Sequence, residues 1–399
     1  MAEYLVPDVY VEEVRGGPRP IEAVGAGVAG FVGVTPRGNA HVNQPLAVNN
    51  WTQFVKEFVG EGDASTPLAH AVFGFFLNGG SRCWVVNVGP GKPIVGSAGK
   101  PAGLDLLEQI DEVAIVAAPG YADVASYEAL LAHCEKPPAD RVAILDAPQR
   151  VDNIDLLTKT ALASAGASGG AESAPAGGLR PRQSEGGHGA FYFPWLVVRD
   201  PLAADSLATV PPSGHIAGIW ARTDAARGVH KAPANEAVRG AVNLSYHLTR
   251  AEQAALNPEG VNCIRFFSQE GIRVWGARTL APSASEWRYL SVRRLFNVIK
   301  ESIARNTRWI VFEPNDYTLW KSIRRDISAF LMLLWRDGAL MGRTPQEAFF
   351  VKCDEETNPP EVVNAGRVVT LIGIAPVKPA EFIIFRLSQL DTSSETEVQ

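Results

Sequence analysis

Cysteine is scarce in this sequence: Cys83, Cys134, Cys263 and Cys353 lie scattered through 399 residues, with no CxxC pair and no CxH spacing. That excludes a disulfide framework and a zinc site and makes a reducing compartment the simpler expectation. Long apolar runs are missing too, since no segment approaches about 18 consecutive apolar residues. The opening stretch, MAEYLVPDVYVEE, has acids where a secretory signal needs basic residues followed by an apolar core. The expectation is a chain that is neither secreted by that route nor membrane-spanning. An excess of positive charge is also absent: 37 Lys and Arg stand against 43 Asp and Glu, a net charge of −6. There is thus no global pull toward nucleic acid or an anionic membrane, and any basic surface must be local. Finally, there is no GxSxG, HExxH or Walker loop.

What is present is an ordinary globular composition, 46% hydrophobic and 20% charged, in a chain long enough for two or three domains. Residues 1–20 read as an extended arm, because the β-prone Val9, Tyr10, Val11 and Val14 are followed by Gly16, Gly17, Pro18 and Pro20. The Gly-punctuated run 24–34 predicts a strand. Asn50 and Thr66-Pro67 predict helix starts, and 83–88 predicts a buried strand. After a Gly/Pro break at 89–103 the pattern becomes strand, helix, strand: apolar runs at 112–119, 141–148 and 191–201 with a helix from 125 to 136. This alternation implies an α/β layer with a parallel sheet. The Ala/Gly/Ser stretch within 161–178 predicts a mobile surface loop.

Beyond Cys263 two long helices are expected, with buried stripes at Val292, Leu295, Phe296, Ile299 and Ile303 and at Leu319, Ile323, Ile327, Phe330 and Leu334. This region is the local exception in charge: residues 286–343 hold eleven Arg or Lys and six Asp or Glu. Lys321, Arg324 and Arg325 share one side of the second helix away from its stripe, as do Arg293, Asn297 and Lys300 on the first. A solvated face is one reading; a docking surface for an acidic partner is the other. The segment EFIIFRL, 381–387, is apolar on both faces and must be paired, within this chain or by strand addition to a neighbour.

Enzyme-like signals are weaker. Gly25, Gly27 and Gly30 have dinucleotide-fingerprint spacing, but a strand follows instead of a helix, and Ala47-Val48-Asn49-Asn50 stands where an acid belongs. Close packing is the better use for these glycines. Asp146 and Asp200 sit at strand ends, where α/β enzymes place catalytic groups, yet both begin turn-forming sequences and neither has a visible partner. His133 and Cys134, adjacent on a helix, point in different directions.

In order along the chain, PDVYVEE (7–13), RPIEAVGAGVAGFVG (19–33), NGGSRCWVVNV (78–88), PPSGHIAGIWARTDAARGVHKAPANE (211–236), LNPEGVNCIRFF (256–267), IRVWGARTL (272–280), EWRYLSVRRLFNVIKESI (286–303), WIVFEPND (309–316) and APVKPAEFIIFRL (375–387) resemble the sheath proteins of contractile phage tails and bacterial contractile injection systems. The middle, 90–205, matches only in type. The resemblance implies an α/β chain with an α+β inner domain built from 21–90 and 265–380, an inserted outer domain at 91–264 carrying a mobile loop at 161–190, an N-terminal arm at 1–20 and a C-terminal strand and tail at 381–399. It implies a structural, non-enzymatic subunit without cofactor or metal. Such a subunit polymerises helically around an inner tube, with baseplate and terminal cap proteins as further partners, no nucleic acid partner and no direct insertion into a membrane. Assembly in the bacterial cytoplasm follows from the same resemblance. Strand exchange between subunits is expected through Val9, Tyr10, Val11, Glu12 and Val14 at one end and Phe382, Ile383, Ile384, Phe385 and Leu387 at the other. Inner-tube attachment is expected at Lys321, Arg324, Arg325, Arg293 and Lys300. A virion sheath, a nucleotide-binding α/β enzyme and a tail-terminator protein are the competing readings.

Overall fold

The computed structural model describes residues 20–97, 99–162, 177–203 and 206–384. Strand β1 (Ala29–Gly33) is followed by β2 (Leu46–Val48), α1 (Trp51–Phe58), α2 (Pro67–Leu77) and β3 (Cys83–Asn87). Both helices start where the sequence predicts, because the Asn50 and Thr66 side chains accept from Gln53 N and Ala69 N, groups with no partner inside the helix. A hairpin, β4 (Val95–Ser97) and β5 (Lys100–Gly103), leads to β6 (Ile115–Ala117), α3 (Val124–Glu135), β7 (Val142–Asp146) and β8 (Gly189–Phe193). Next come β9 (Leu196–Arg199), β10 (Leu207–Val210), α4 (Ser213–Arg227), β11 (Glu236–Ala237), β12 (Ala241–Leu244), α5 (Arg250–Leu256), β13 (Val261–Phe267) and β14 (Gly271–Val274). The chain ends in α6 (Leu290–Asn306), α7 (Tyr317–Arg336), α8 (Pro345–Ala348), β15 (Phe349–Lys352), α9 (Pro360–Asn364) and β16 (Leu371–Ile374).

Nine strands form one sheet in the order β11-β14-β13-β8-β7-β6-β1-β3-β2. The six from β13 to β3 run parallel, and antiparallel strands close both sides. A parallel sheet needs cover on both faces, and each face has it. On one, Leu68, Val72 and Phe75 of α2 and Ile216, Ile219 and Trp220 of α4 are buried; on the other, Tyr127, Leu130 and Leu131 of α3 with Leu104 and Leu107. The α2–α4 contact is unusually close. A Cβ on Gly214 would stand 2.2 Å from Ala71 Cα, and one on Gly218 would stand 2.4 Å from Phe75 O, so only glycine permits this approach.

A third core belongs to the C-terminal region, where Leu295 and Ile299 of α6 meet Leu319, Ile323, Ile327, Phe330 and Leu331 of α7. The predicted stripes are therefore the real ones, although Phe296, Ile303 and Leu334 are only half-buried.

β1 pairs in parallel with both β3 and β6, so the stretches expected to be inner and outer domains meet in one sheet. Two expectations need correction. The strand expected at 24–34 begins only at Ala29, because residues 21–27 run between the sheet and α6. Ile21 is buried in the third core, Val24 N donates to Ser302 Oγ and Ala26 O accepts from Arg294. The loop expected at 161–190 is fixed from Leu179 onward, where Arg182 forks onto Glu135 and Glu128 and Ser184 donates to Glu135. Residues 163–176 lie outside the described set.

Candidate assembly surfaces

The second long helix, α7, starts at Asp316, whose side chain accepts from Leu319 N at 2.8 Å. With its apolar stripe turned inward, Lys321 and Arg325 are exposed and Arg324 half-exposed on the other side. Arg325 reaches Asp326 of its own helix at 2.9 Å, whereas neither Lys321 nor Arg324 has a carboxylate partner among the described residues. None of the three lies in the first turn, where the helix dipole acts, so the dipole gives no reason for or against them.

The corresponding residues of α6 are used differently. Arg293 is buried, with its guanidinium 4.1 Å from the Trp287 ring centre and its Nε donating to Asn297 Oδ1. Burial pushes its pKa down to about 10. Lys300 is exposed at the surface, but its Nζ donates to the carbonyls of Pro138 and Ala139. The helical offsets were right, but Arg293 does not face solvent, because α6 packs on α7 with one face and on the α/β body with the other. Arg294 marks that second contact: it pairs with Asp224 of α4, stacks 4.8 Å from Trp220, and is almost fully enclosed. Of the five residues expected at the tube, the fold thus keeps Lys321, Arg324 and Arg325 available and occupies Arg293 and Lys300.

Both ends of the described chain are rooted at the helical region. The N-terminal root is Ile21, with Asn306 Nδ2 donating to Glu22 O at 3.0 Å. Val9, Tyr10, Val11, Glu12 and Val14 lie outside the described residues, as do Phe385 and Leu387. The C-terminal root is β16, which pairs antiparallel with β15 from Phe349↔Ile374 to Lys352↔Leu371. Its continuation is held by Val377 N to Ala339 O and by a two-pronged ion pair, Arg278 to Glu381, at 2.9 and 2.5 Å. Past that clamp, Phe382, Ile383 and Ile384 are about three-quarters exposed and pair with no described strand. The expected strand at 381–389 is therefore not formed within this subunit over its described part.

The β15–β16 ribbon has only two strands, and among the described residues neither outer edge is paired along the strands themselves, although just past β16 Leu340 bridges Pro376. Phe350 and Leu371 are more than half exposed on it. Such a ribbon is marginal alone and presents open backbone donors and acceptors to any added strand. Sequence reasoning passed over it, although FFVK at 349–352 followed by LIGI at 371–374 carries the β-prone composition that could have revealed it.

The enzyme-like features resolve into packing. A Cβ on Gly30 would meet Leu107 Cδ1 at 2.7 Å. Asp146 accepts from Ser213 N and Oγ and from Gly120 N, capping α4 from across the sheet; burial pushes its carboxyl up to about 7. Asp200 accepts from Ser65 Oγ and Leu202 N. His133 shares its Nε2 with the Arg141 guanidinium at 2.9 Å. Among the described residues there is no metal-binding cluster of His, Cys, Asp and Glu, and no helix long and apolar enough to cross a membrane.

Comparison with known proteins gives a consistent result. Residues 96–280 match the phage tail sheath protein central domain, and residues 283–389 match the phage tail sheath C-terminal domain. The tail sheath protein of Vibrio phage KVP40 is 31% identical over 189 residues, 47% of this chain and 27% of the phage protein, so the chain spans about a quarter of that relative's length. A chain in the anti-feeding prophage (AFP) baseplate structure is 30% identical with a TM-score of 0.73, covering 97% of this chain and 99% of that one. A chain of the PVC sheath complex, an extracellular contractile injection system in its contracted state, is 27% identical with a TM-score of 0.75, over 99% of this chain and all of that one.

Proposed function

This chain belongs to the phage tail sheath family, and from that premise we propose that it is the sheath subunit of a contractile injection machine, polymerising helically around an inner tube in a metastable extended state and contracting to drive the tube through a target membrane. The observation that carries this reading is the open β15–β16 ribbon beside both chain roots. An acceptor edge and departing strands on one molecule make a heterologous contact, which repeats into a helix rather than closing on itself. The end-to-end match with injection-system chains, against a partial match with longer phage proteins, supports an injection machine over a virion tail. Copies of itself, the inner tube protein, the baseplate and a terminal cap are the proposed partners, with assembly in the bacterial cytoplasm.

On this reading the chain is structural and needs no nucleotide. If contacts in the contracted lattice bury more surface than those in the extended one, each subunit contributes a free-energy difference at about 25 cal/mol per Å². Many subunits sum to the work of perforation. Strands exchanged through the two arms keep neighbours joined while their bodies rotate, and Lys321, Arg324 and Arg325 on α7 meet an acidic wall of the tube. Individually weak contacts suit a surface that must release.

Negative-stain microscopy of the full chain and of a chain lacking residues 1–20 tests the proposal. Tubes or cogwheel discs are expected from the first, and folded subunits without long polymers from the second. Uniform small globules from the full chain would remove the sheath reading, and normal tubes from the truncated chain would remove the arm as a joint.

A further inference from the structure

The loop that leads into α7 carries an aromatic side chain with no packing among the described residues. Phe312 is fully exposed, and its backbone sits at φ +71°, a left-handed conformation that bulky residues avoid. The loop cannot relax out of it, because its neighbours are tied down. Val311 N donates to Arg308 O, Glu313 N to Ile310 O and Asp316 N to Pro314 O. Asn315 bridges Arg367 O and the Trp320 indole at 2.9 and 2.8 Å. Glycine would meet the backbone requirement without strain, and a polar residue would meet the solvent without cost. Phenylalanine serves neither need inside the subunit.

Its surroundings indicate what it serves outside. Val311 beside it and Tyr317 at the start of α7 are each about 60% exposed. Tyr317, Lys321, Arg324 and Arg325 fall at offsets 0, 4, 7 and 8, on one side of the helix. An apolar knob thus stands at the head of a cationic stripe. We propose that Val311 and Phe312 form a hydrophobic anchor that inserts into an apolar pocket of the inner tube protein, beside the carboxylates that meet the α7 cations. This rests on the reading of α7 as the tube-facing helix and adds to it: the cations steer and are screened by salt, while the anchor supplies the desolvated centre where binding energy concentrates. An electrostatic rim alone would release at moderate salt.

The test uses the full chain and preformed tubes. A photo-crosslinking residue is placed at 312 or at 321, and Phe312→Ala and Phe312→Gly are compared with the parent in tube binding at low and high salt. Both crosslinker positions are expected to capture the tube protein. Both substitutions are expected to weaken binding about tenfold at either salt, with thermal stability unchanged or, for Phe312→Gly, raised. Capture of the tube from 321 but of a neighbouring sheath copy, or of nothing, from 312 would overturn the anchor and leave the tube-facing helix standing; so would parental binding by Phe312→Ala. Failure of both positions to reach the tube would overturn the helix assignment along with the anchor.

Discussion

Glu381→Ala should free the root of the C-terminal arm without unfolding the subunit. The carboxylate takes both prongs of Arg278, whose third nitrogen donates to Asn257 O at 3.0 Å, and the Arg278 and Glu381 side chains are 8% and 17% exposed. Removing it strands a guanidinium in a mostly closed site. Breaking a fully buried pair costs about 3–5 kcal/mol and an exposed one under about 1; this clamp lies between them, near 2 kcal/mol. That is roughly a thirty-fold rise in the odds of detachment. The effect stays local, because the last backbone bond of the described segment is Val377 N to Ala339 O and the ribbon lies before it. A spin label at position 380, introduced as Ala380→Cys with the four native cysteines buried, reads the detached fraction directly. The mobile component should grow about thirty-fold in odds while the urea midpoint holds, and polymers should contract incompletely because slack at the root decouples neighbours. Glu381→Asp, too short for both prongs, should fall between. An unchanged spectrum together with normal contraction would refute the clamp.

Asp224→Ala should cost about 3–5 kcal/mol in urea unfolding, since it leaves Arg294, 3% exposed, without its carboxylate inside the contact between α4 and α6. The Asp146 carboxyl titrates near 7 in the fold against 3.8 ordinarily, so the folded state holds the extra proton and stability falls as pH rises from about 4 to 7; urea midpoints of Asp146→Asn should lose that slope. His215 is the opposite case: burial holds its imidazole near 4, so its contribution is complete above about 6.5 and lost as pH falls toward 4, a limb that His215→Met should flatten.

Local chemistry was readable from the sequence, and non-local contacts were not. Asn50 and Thr66 announce their helices because a cap acts within three residues. The α7 stripe was legible because one face of that helix is buried and the other is free. On α6 the same arithmetic failed. Arg293 and Arg294 look like surface cations in sequence, yet one stacks on Trp287 and the other pairs with Asp224, 70 positions away. Arginine can be enclosed when a carboxylate or an aromatic face meets it, and periodicity does not record that. The sheet shared across residue 90 was hidden for a related reason: a Gly/Pro break marks a loop, but only strand pairing tells whether a sheet continues past it, and β1 pairs with β6 across that break. Arg278 and Glu381 are 103 positions apart, and neither is unusual in its own neighbourhood.

The position of the two chain roots limits how force can travel through the proposed sheath. Ile21 enters the third core, so the N-terminal arm pulls on the α6–α7 region, while the C-terminal arm leaves from β16 past Glu381, whose pair with Arg278 ties it also to β13 of the nine-stranded sheet. A pull reaches the α/β body through Arg294 with Asp224, through Lys300 on the Pro138 and Ala139 carbonyls, through the segment around Val24 and Ala26, and directly through Glu381 on Arg278. If the arms connect neighbours, the helical regions form the continuous mesh and the α/β bodies are carried on it. The α7 patch, Phe312 included, belongs to the mesh. Tube contact and neighbour contact then reside in one rigid unit, so rotation of that unit by its neighbours would withdraw Phe312 and the three cations from the tube in a single movement.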